Sequence, residues 1–294
     1  MKKQIFNGCG TAIVTPFNEN GVDFESYGKL IDYQIENGVS AIITCGTTGE
    51  AATMTSEEKT AVISYTVEKV AKRVPVIVGT GSNNTEAAIA ASKEAEALGA
   101  DGLLVVTPYY NKCTQAGLVK HYTKIANSTN LPIIVYSVKS RTGVNIEPKT
   151  AYELSKVSNI VAIKEASGDL SQIAKIKALC GDNLDIYSGN DDQVAAIYAV
   201  GGIGVISVLS NVLPKETSTM CKLFSEDNFK EGSKMQLKYI ELISSLFCEV
   251  NPIPVKYALS QIGYNVGTPR LPLTEITEEG KEKVNRALKN LNII

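Results

Sequence analysis

Short, wholly apolar runs recur along the chain: TAIVT (11–15), AIITC (41–45), PVIVG (75–79), GLLVV (102–106), PIIVY (132–136), IVAIK (160–164), LDIYS (184–188) and GIGVIS (202–207). They do not alternate with polar residues, which predicts strands of a parallel sheet covered on both faces. Amphipathic stretches lie between them, among them FESYGKLIDYQIENG, TEAAIAASKEAEALG and LSQIAKIKALCG; the last two close on a glycine, where a helix should stop. The repeat of roughly 20–35 residues is the size of a βα unit. Eight such units predict a TIM (β/α)8 barrel in preference to an open doubly wound sheet. From about residue 212 the strand pattern stops, and MQLKYIELISSLF, VKYALSQIG and TEEGKEKVNRALKNL read as helices. The expected organisation is a barrel over residues 1–225 and a small C-terminal helical extension over 226–294, with no low-complexity linker.

Composition narrows the function. The 294 residues, 44% of them hydrophobic, suffice for one large core. A net charge of −2 without any Lys/Arg-rich run argues against a nucleic-acid binder. No apolar stretch approaches the length needed to span a bilayer. The opening MKKQIFNGCG has no long apolar run of the kind a signal peptide carries, so a cytoplasmic location is expected. Six cysteines are scattered without a C-x-x-C pair, and His121 is the single histidine. That pattern predicts no metal site, and reduced cysteines serving as small hydrophobes. No cofactor is expected. With one histidine, proton chemistry falls to tyrosine, lysine or a carboxylate.

Lys164 is the anomaly, because an ammonium seldom enters a buried strand unpaired. Two ordinary readings compete: the strand ends at Ile163, or Lys164 pairs with Glu165 or another acid. Other polar clusters share its position at the C-terminal ends of strands, where barrel chemistry sits. They are GTTGE (46–50), TPYYNK (107–112), and Tyr136 followed by SVKSRTG (137–143). Each alone could be an ordinary turn or surface loop. Together they suit one chemistry. Desolvation lowers a lysine's pKa, and the neutral amine can attack a ketone to give a Schiff base. Hydroxyls of Tyr136, Thr47 and Tyr110 can move the protons, Arg141 offers a fork for a carboxylate, and Thr48 with turn N–H groups leading into a helix can hold another.

GTTGE, VTPYYN, YSVKSRTG, VAIKEASG, YSGND, GVISV and NPIPVK stand in the order and spacing of the dihydrodipicolinate synthase family, and the sequence resembles that family over essentially its whole length. The resemblance implies condensation of pyruvate with L-aspartate 4-semialdehyde to 4-hydroxytetrahydrodipicolinate, on the diaminopimelate and lysine route. It implies a pyruvyl imine on Lys164 and a proton relay through Tyr136, Thr47 and Tyr110. Thr48 would bind the pyruvate carboxylate, Arg141 the semialdehyde end, and Gly189 and Ile206 would line the pocket. It also implies a homo-oligomer, a tetramer built as a dimer of dimers, with Tyr110 crossing from the neighbouring subunit.

The chain departs from the family where Asn-Val-Pro commonly precedes SRTG; it has Ser137, Val138 and Lys139, and losing the proline should loosen the Arg141 loop. In the family it resembles, members inhibited by lysine bind it on residues just after GTTGE and on the helix after the GTGxN turn. Here Asn83 and Tyr109 are kept, but Ser56, Lys59 and Ala87 supply no anion for an ammonium, and neighbouring Glu86 should point elsewhere. Weak or absent lysine inhibition is expected. The nearest alternative is another pyruvate aldolase such as N-acetylneuraminate lyase, which has less use for Arg141. A dinucleotide site at GTGSNN (79–84) fails on Asn84 and on the placing of Asp101. A catalytically dead barrel would have lost part of the lysine, tyrosine and threonine set, which is complete.

Overall fold

The computed structural model describes Lys2 and residues 4–294. Eight parallel strands close into a barrel: β1 (Gly8–Ala12), β2 (Ala41–Thr44), β3 (Val76–Gly79), β4 (Gly102–Val106), β5 (Ile133–Ser137), β6 (Ile160–Glu165), β7 (Asp185–Ser188) and β8 (Gly204–Ser207). Each pairs with its sequence neighbour, and β1 closes the ring against both β2 and β8. The continuous apolar runs follow from this placement. One set of side chains, including Ile43, Ile77, Leu104, Ile134, Ala162 and Ile206, fills the barrel. The alternate set, including Ile42, Val78, Val105, Val135 and Ile163, packs under the helices.

Seven strands fall within two residues of their predicted runs, but β1 lies earlier, at Gly8–Ala12 instead of 11–15. The reason is steric. Phe6 is buried in the barrel and stacks on Tyr187 at 4.3 Å, and Tyr187 donates to the Phe6 carbonyl at 2.6 Å. A Cβ on Gly10 would lie 2.8 Å from the Phe6 ring, so the strand beside this plug must be poor in side chains. Propensity alone reads GCG as a turn. Residues 13–15 lead out of the barrel, with the Val14 N–H donating to Asn211 Oδ1 at 3.1 Å.

Helices α1 (Phe24–Glu36), α2 (Ser56–Val70), α3 (Thr85–Ala97), α4 (Gln115–Ala126), a single turn α5 (Lys139–Thr142), α6 (Pro148–Ser155), α7 (Leu170–Cys180), α8 (Val194–Ala199) and α9 (Pro214–Ser225) complete the βα units. Their starts carry side-chain caps at Asp23, Thr55, Asn84, Thr114 and Asp169, with a full capping box between Thr55 and Glu58. Beyond them come α10 (Phe229–Lys238), α11 (Ile240–Ser245), α12 (Ile253–Gln261) and α13 (Glu278–Asn290). MQLKYIELISSLF, expected as one helix, is broken at Tyr239. Its halves dock on different neighbours: Gln236 ties α10 to Asp192 and Ala195, whereas α11 packs against α13. Helix α12 returns to the C-terminal mouth of the barrel, where Lys256 meets Glu50. Among the described residues no helix is long and apolar enough to cross a membrane.

Candidate active site

Strand β6 runs through Lys164 to Glu165, so Lys164 belongs to the barrel and not to a solvated end. Parity of the strand turns Lys164 inward and Glu165 outward. Glu165 is taken by other partners: Oε1 accepts from the Ser167 N–H at 2.9 Å and Oε2 from Gln172 Nε2 at 3.0 Å. That removes a solvated strand end and a pairing with Glu165; of the other acids, Asp191 acts on the lysine through its charge. Lys164 is 6% exposed, and burial pulls its pKa down to about 8; Asp191 opposes that shift and the Arg141 guanidinium adds to it. Its register partner on β5 is Tyr136, and the ammonium nitrogen lies 4.3 Å from the centre of that ring. Burial pushes the Tyr136 phenol up to about 12, so it keeps its proton at neutral pH.

Two neighbours fix the space around the amine. A Cβ on Gly189 would stand 3.2 Å from Lys164 Cε and 2.6 Å from the Ala166 Cβ, so glycine leaves the channel through which the lysine passes. Ile206 is fully buried on β8 and supplies inner wall.

The GTTGE turn is held in an unusual shape. Cys45 and Glu50 bracket it with positive φ angles of 52° and 56°. The turn also crosses close to β3: a Cβ on Gly79 would sit 2.2 Å from the Cys45 carbonyl oxygen. Thr48 is buried and its Oγ1 accepts from Asn251 Nδ2 at 2.9 Å, while Thr47 is exposed. The helix start expected directly after the turn is different in the structure. A single 3₁₀ turn, Ala51–Thr53, comes first and α2 begins only at Ser56, so the donors near Thr48 belong to a turn.

Arg141 lies on α5, in the loop that lacks the proline. Thr142 Oγ1 accepts from Thr107 Oγ1 at 2.9 Å and also lies 3.0 Å from the Val144 carbonyl oxygen. Arg141 Nη2 donates to the Asn251 carbonyl at 3.2 Å. Asn251, which precedes a cis peptide bond to Pro252, thus touches both Thr48 and Arg141, and its Oδ1 is buried without a partner. Sequence reasoning assigned it no role, although NPIPVK stood among the motifs that carry the family resemblance.

One candidate stays outside the cluster. Tyr110 is 90% exposed, on a backbone with φ of 68°. Among the described residues no hydrogen bond joins Tyr110, Thr47 and Tyr136 within one chain. His121 is buried elsewhere against Thr85, and no group of three or more His, Cys, Asp or Glu among the described residues is placed to hold a metal ion.

The fold and this geometry define a barrel of the amine-nucleophile class: a (β/α)8 scaffold with a low-pKa lysine at its C-terminal mouth, beside a protonated phenol, a buried threonine turn and an arginine. The chain belongs to the dihydrodipicolinate synthetase family, whose model matches residues 5–291. It is 55% identical over 290 residues to the 4-hydroxy-tetrahydrodipicolinate synthase of Alkaliphilus oremlandii, covering 99% of this chain and 100% of that one. The crystal structure of dihydrodipicolinate synthase from Thermotoga maritima superposes with a TM-score of 0.97 at 44% identity, covering 99% and 100% of the two chains. That of the Acinetobacter baumannii enzyme, solved with pyruvate, gives 0.96 at 42% identity over 99% and 100%.

The depressed pKa of Lys164 has a stability consequence. Below about pH 8 the folded chain holds a buried ammonium that the unfolded chain solvates freely, so the group destabilises the fold there. That penalty shrinks as pH rises towards 10.5, the ordinary lysine value, and vanishes above it. Lys164→Met should therefore be more stable than the parent at pH 7, by about 1–3 kcal/mol. The gain should narrow as denaturation is repeated at pH 9 and 10. A variant less stable at pH 7 would show that the ammonium is well paired.

Proposed function

We propose that the chain condenses pyruvate with L-aspartate 4-semialdehyde through an imine on Lys164, giving 4-hydroxytetrahydrodipicolinate. The observation that carries this reading is the inward Lys164 with its pKa near 8, in van der Waals range of Tyr136. At that pKa roughly a tenth of the amine is neutral at pH 7, against well under one in a thousand for an ordinary lysine. The neutral amine adds to the keto carbon of pyruvate. The carbinolamine oxygen then leaves as water after taking a proton, for which the Tyr136 phenol is the adjacent donor. The resulting iminium draws electrons from the methyl carbon, which loses a proton and attacks the aldehyde of the second substrate; that substrate's own amine then adds to the imine carbon, closing the ring and expelling Lys164 as the free amine.

Thr48 with its turn N–H groups is assigned the pyruvate carboxylate, and Arg141 the carboxylate of the semialdehyde. Thr47 and Tyr110 complete the proton path from Tyr136. For Tyr110 this requires a second copy of the chain. Its exposed ring, with Tyr109 also 41% exposed beside it, suits burial in a homo-oligomer, for which we propose the tetramer. A reducing, cytoplasmic setting is supported by six unpaired cysteines.

Lysine inhibition is expected to be weak. Ala87 and Lys59 offer no anion, and Glu86 is already in an ion pair with Lys124 on the surface.

Borohydride reduction in the presence of pyruvate should add one reduced pyruvyl group, mapped to Lys164, and Lys164→Arg should give neither adduct nor turnover. An unlabelled parent enzyme, or near-normal activity in Lys164→Arg, would sink the imine assignment, since a guanidinium stays protonated. Diluting the enzyme until sedimentation shows a monomer should abolish most activity. A fully active monomer would contradict the shared Tyr110. Activity should persist in millimolar L-lysine, and strong partial inhibition would mean that another acid replaces the one missing at Ala87.

A further inference from the structure

Two residues beyond Thr48, Glu50 carries a carboxylate that is 1% exposed and uses both oxygens across the chain. Oε1 meets Lys256 Nζ at 2.7 Å, and Oε2 accepts from the Arg270 N–H at 2.8 Å. Lys256 is equally buried, and Phe17 lies beneath it with the Arg270 guanidinium also against that ring, at 4.6 and 4.0 Å from the ring centre. This lysine forms no part of the imine chemistry. Replacing such a pair by apolar groups of similar shape is often neutral or stabilising, so stability alone is a poor reason for two charges here.

Location supplies a better one. The pair joins the same two segments as the Thr48–Asn251 hydrogen bond, two residues along the turn and five along the extension. Glu50 also closes the turn, its N–H donating to the Thr47 carbonyl at 3.1 Å. A displacement of its carboxylate therefore passes directly to Thr47 and Thr48. An apolar contact at this point would fix a volume. A charge-assisted hydrogen bond fixes a distance and a direction as well.

We propose that Glu50 and Lys256 are positioning residues, which set the register between the GTTGE turn and α12 so that Thr48, held by Asn251, meets the pyruvate carboxylate. The proposal rests on the assignment of Thr48 to that carboxylate. It makes ground-state capture of the keto acid, and not the chemistry at Lys164, the step that depends on the pair.

The test uses full-length Glu50→Gln, Lys256→Met and the Glu50→Gln/Lys256→Met double variant. Each is titrated with pyruvate under borohydride, the adduct read by intact mass, and KM and kcat are measured alongside thermal melts. The single variants should melt lower, and the double variant, which buries no unpaired charge, should recover much of that loss. All folded variants should need tenfold or more pyruvate for half-maximal trapping, with maximal trapping and kcat within about threefold of the parent. Unchanged half-saturation in the folded variants overturns the proposal, as does its recovery in the double variant, which would make the pair a space-filler. A loss of maximal trapping in proportion to the folded fraction, or failure of all three to fold, reduces the pair to a folding requirement and equally overturns it. If the parent itself is not trapped by pyruvate, the functional reading fails first, and the two failures are told apart.

Discussion

An ammonium placed in the dry mouth of a barrel is unstable towards losing its proton, and the site is organised around that single fact. Nothing near Lys164 is arranged to relieve it fully. The adjacent Glu165 faces away and is occupied by Ser167 and Gln172, and Asp191 spends one oxygen on the Val208 and Leu209 N–H groups. What the lysine receives instead is the face of Tyr136, a weak partner for a cation that leaves the nitrogen lone pair usable once the proton is gone. The two groups are driven apart by one cause: burial lowers the amine and raises the phenol, so a usable fraction of the nucleophile is neutral at pH 7 while its neighbour holds its proton.

The surrounding shape follows from keeping this corner tight. Gly189 is small so that Lys164 can extend past it, and Gly79 is small so that the GTTGE turn can cross β3. The strained turn is then anchored from outside the barrel, by Asn251, Lys256 and the backbone of Arg270. The Arg141 loop is steadied by similar means. Ser137 bonds to Asn145, which is joined through Gln172 to Glu165, so the loop after β5 is tied to the strand that carries the lysine.

Much of this was visible in the chain itself, for identifiable reasons. Strands buried on both faces announce themselves as unbroken apolar runs, and a lysine at the end of such a run contradicts its own surroundings. The first strand was misplaced because its defining property is a lack of side chains beside Phe6, which looks locally like a turn. Asn251 and Lys256 were missed because their partners Thr48 and Glu50 lie 203 and 206 positions away, beyond the reach of any periodicity. The break at Tyr239 depends on which neighbours α10 and α11 meet, and no local preference encodes it. Tyr110 is legible as an unusual residue, yet a single folded chain gives it no function.

The long sequence separation of those contacts also orders events in time. A chain emerging from the ribosome presents β1 through β8 before residues 251–270 exist outside the exit tunnel. At that stage the barrel can close around Lys164, but Thr48 has no amide to meet and Glu50 no counter-charge, because both partners are still being made. Ring closure and completion of the site are therefore separate steps of biogenesis. The last-made segment also completes the main core through residues such as Val255, Leu259 and Leu288, so a nascent barrel carries Lys164 while Thr48 and Glu50 still lack their anchors.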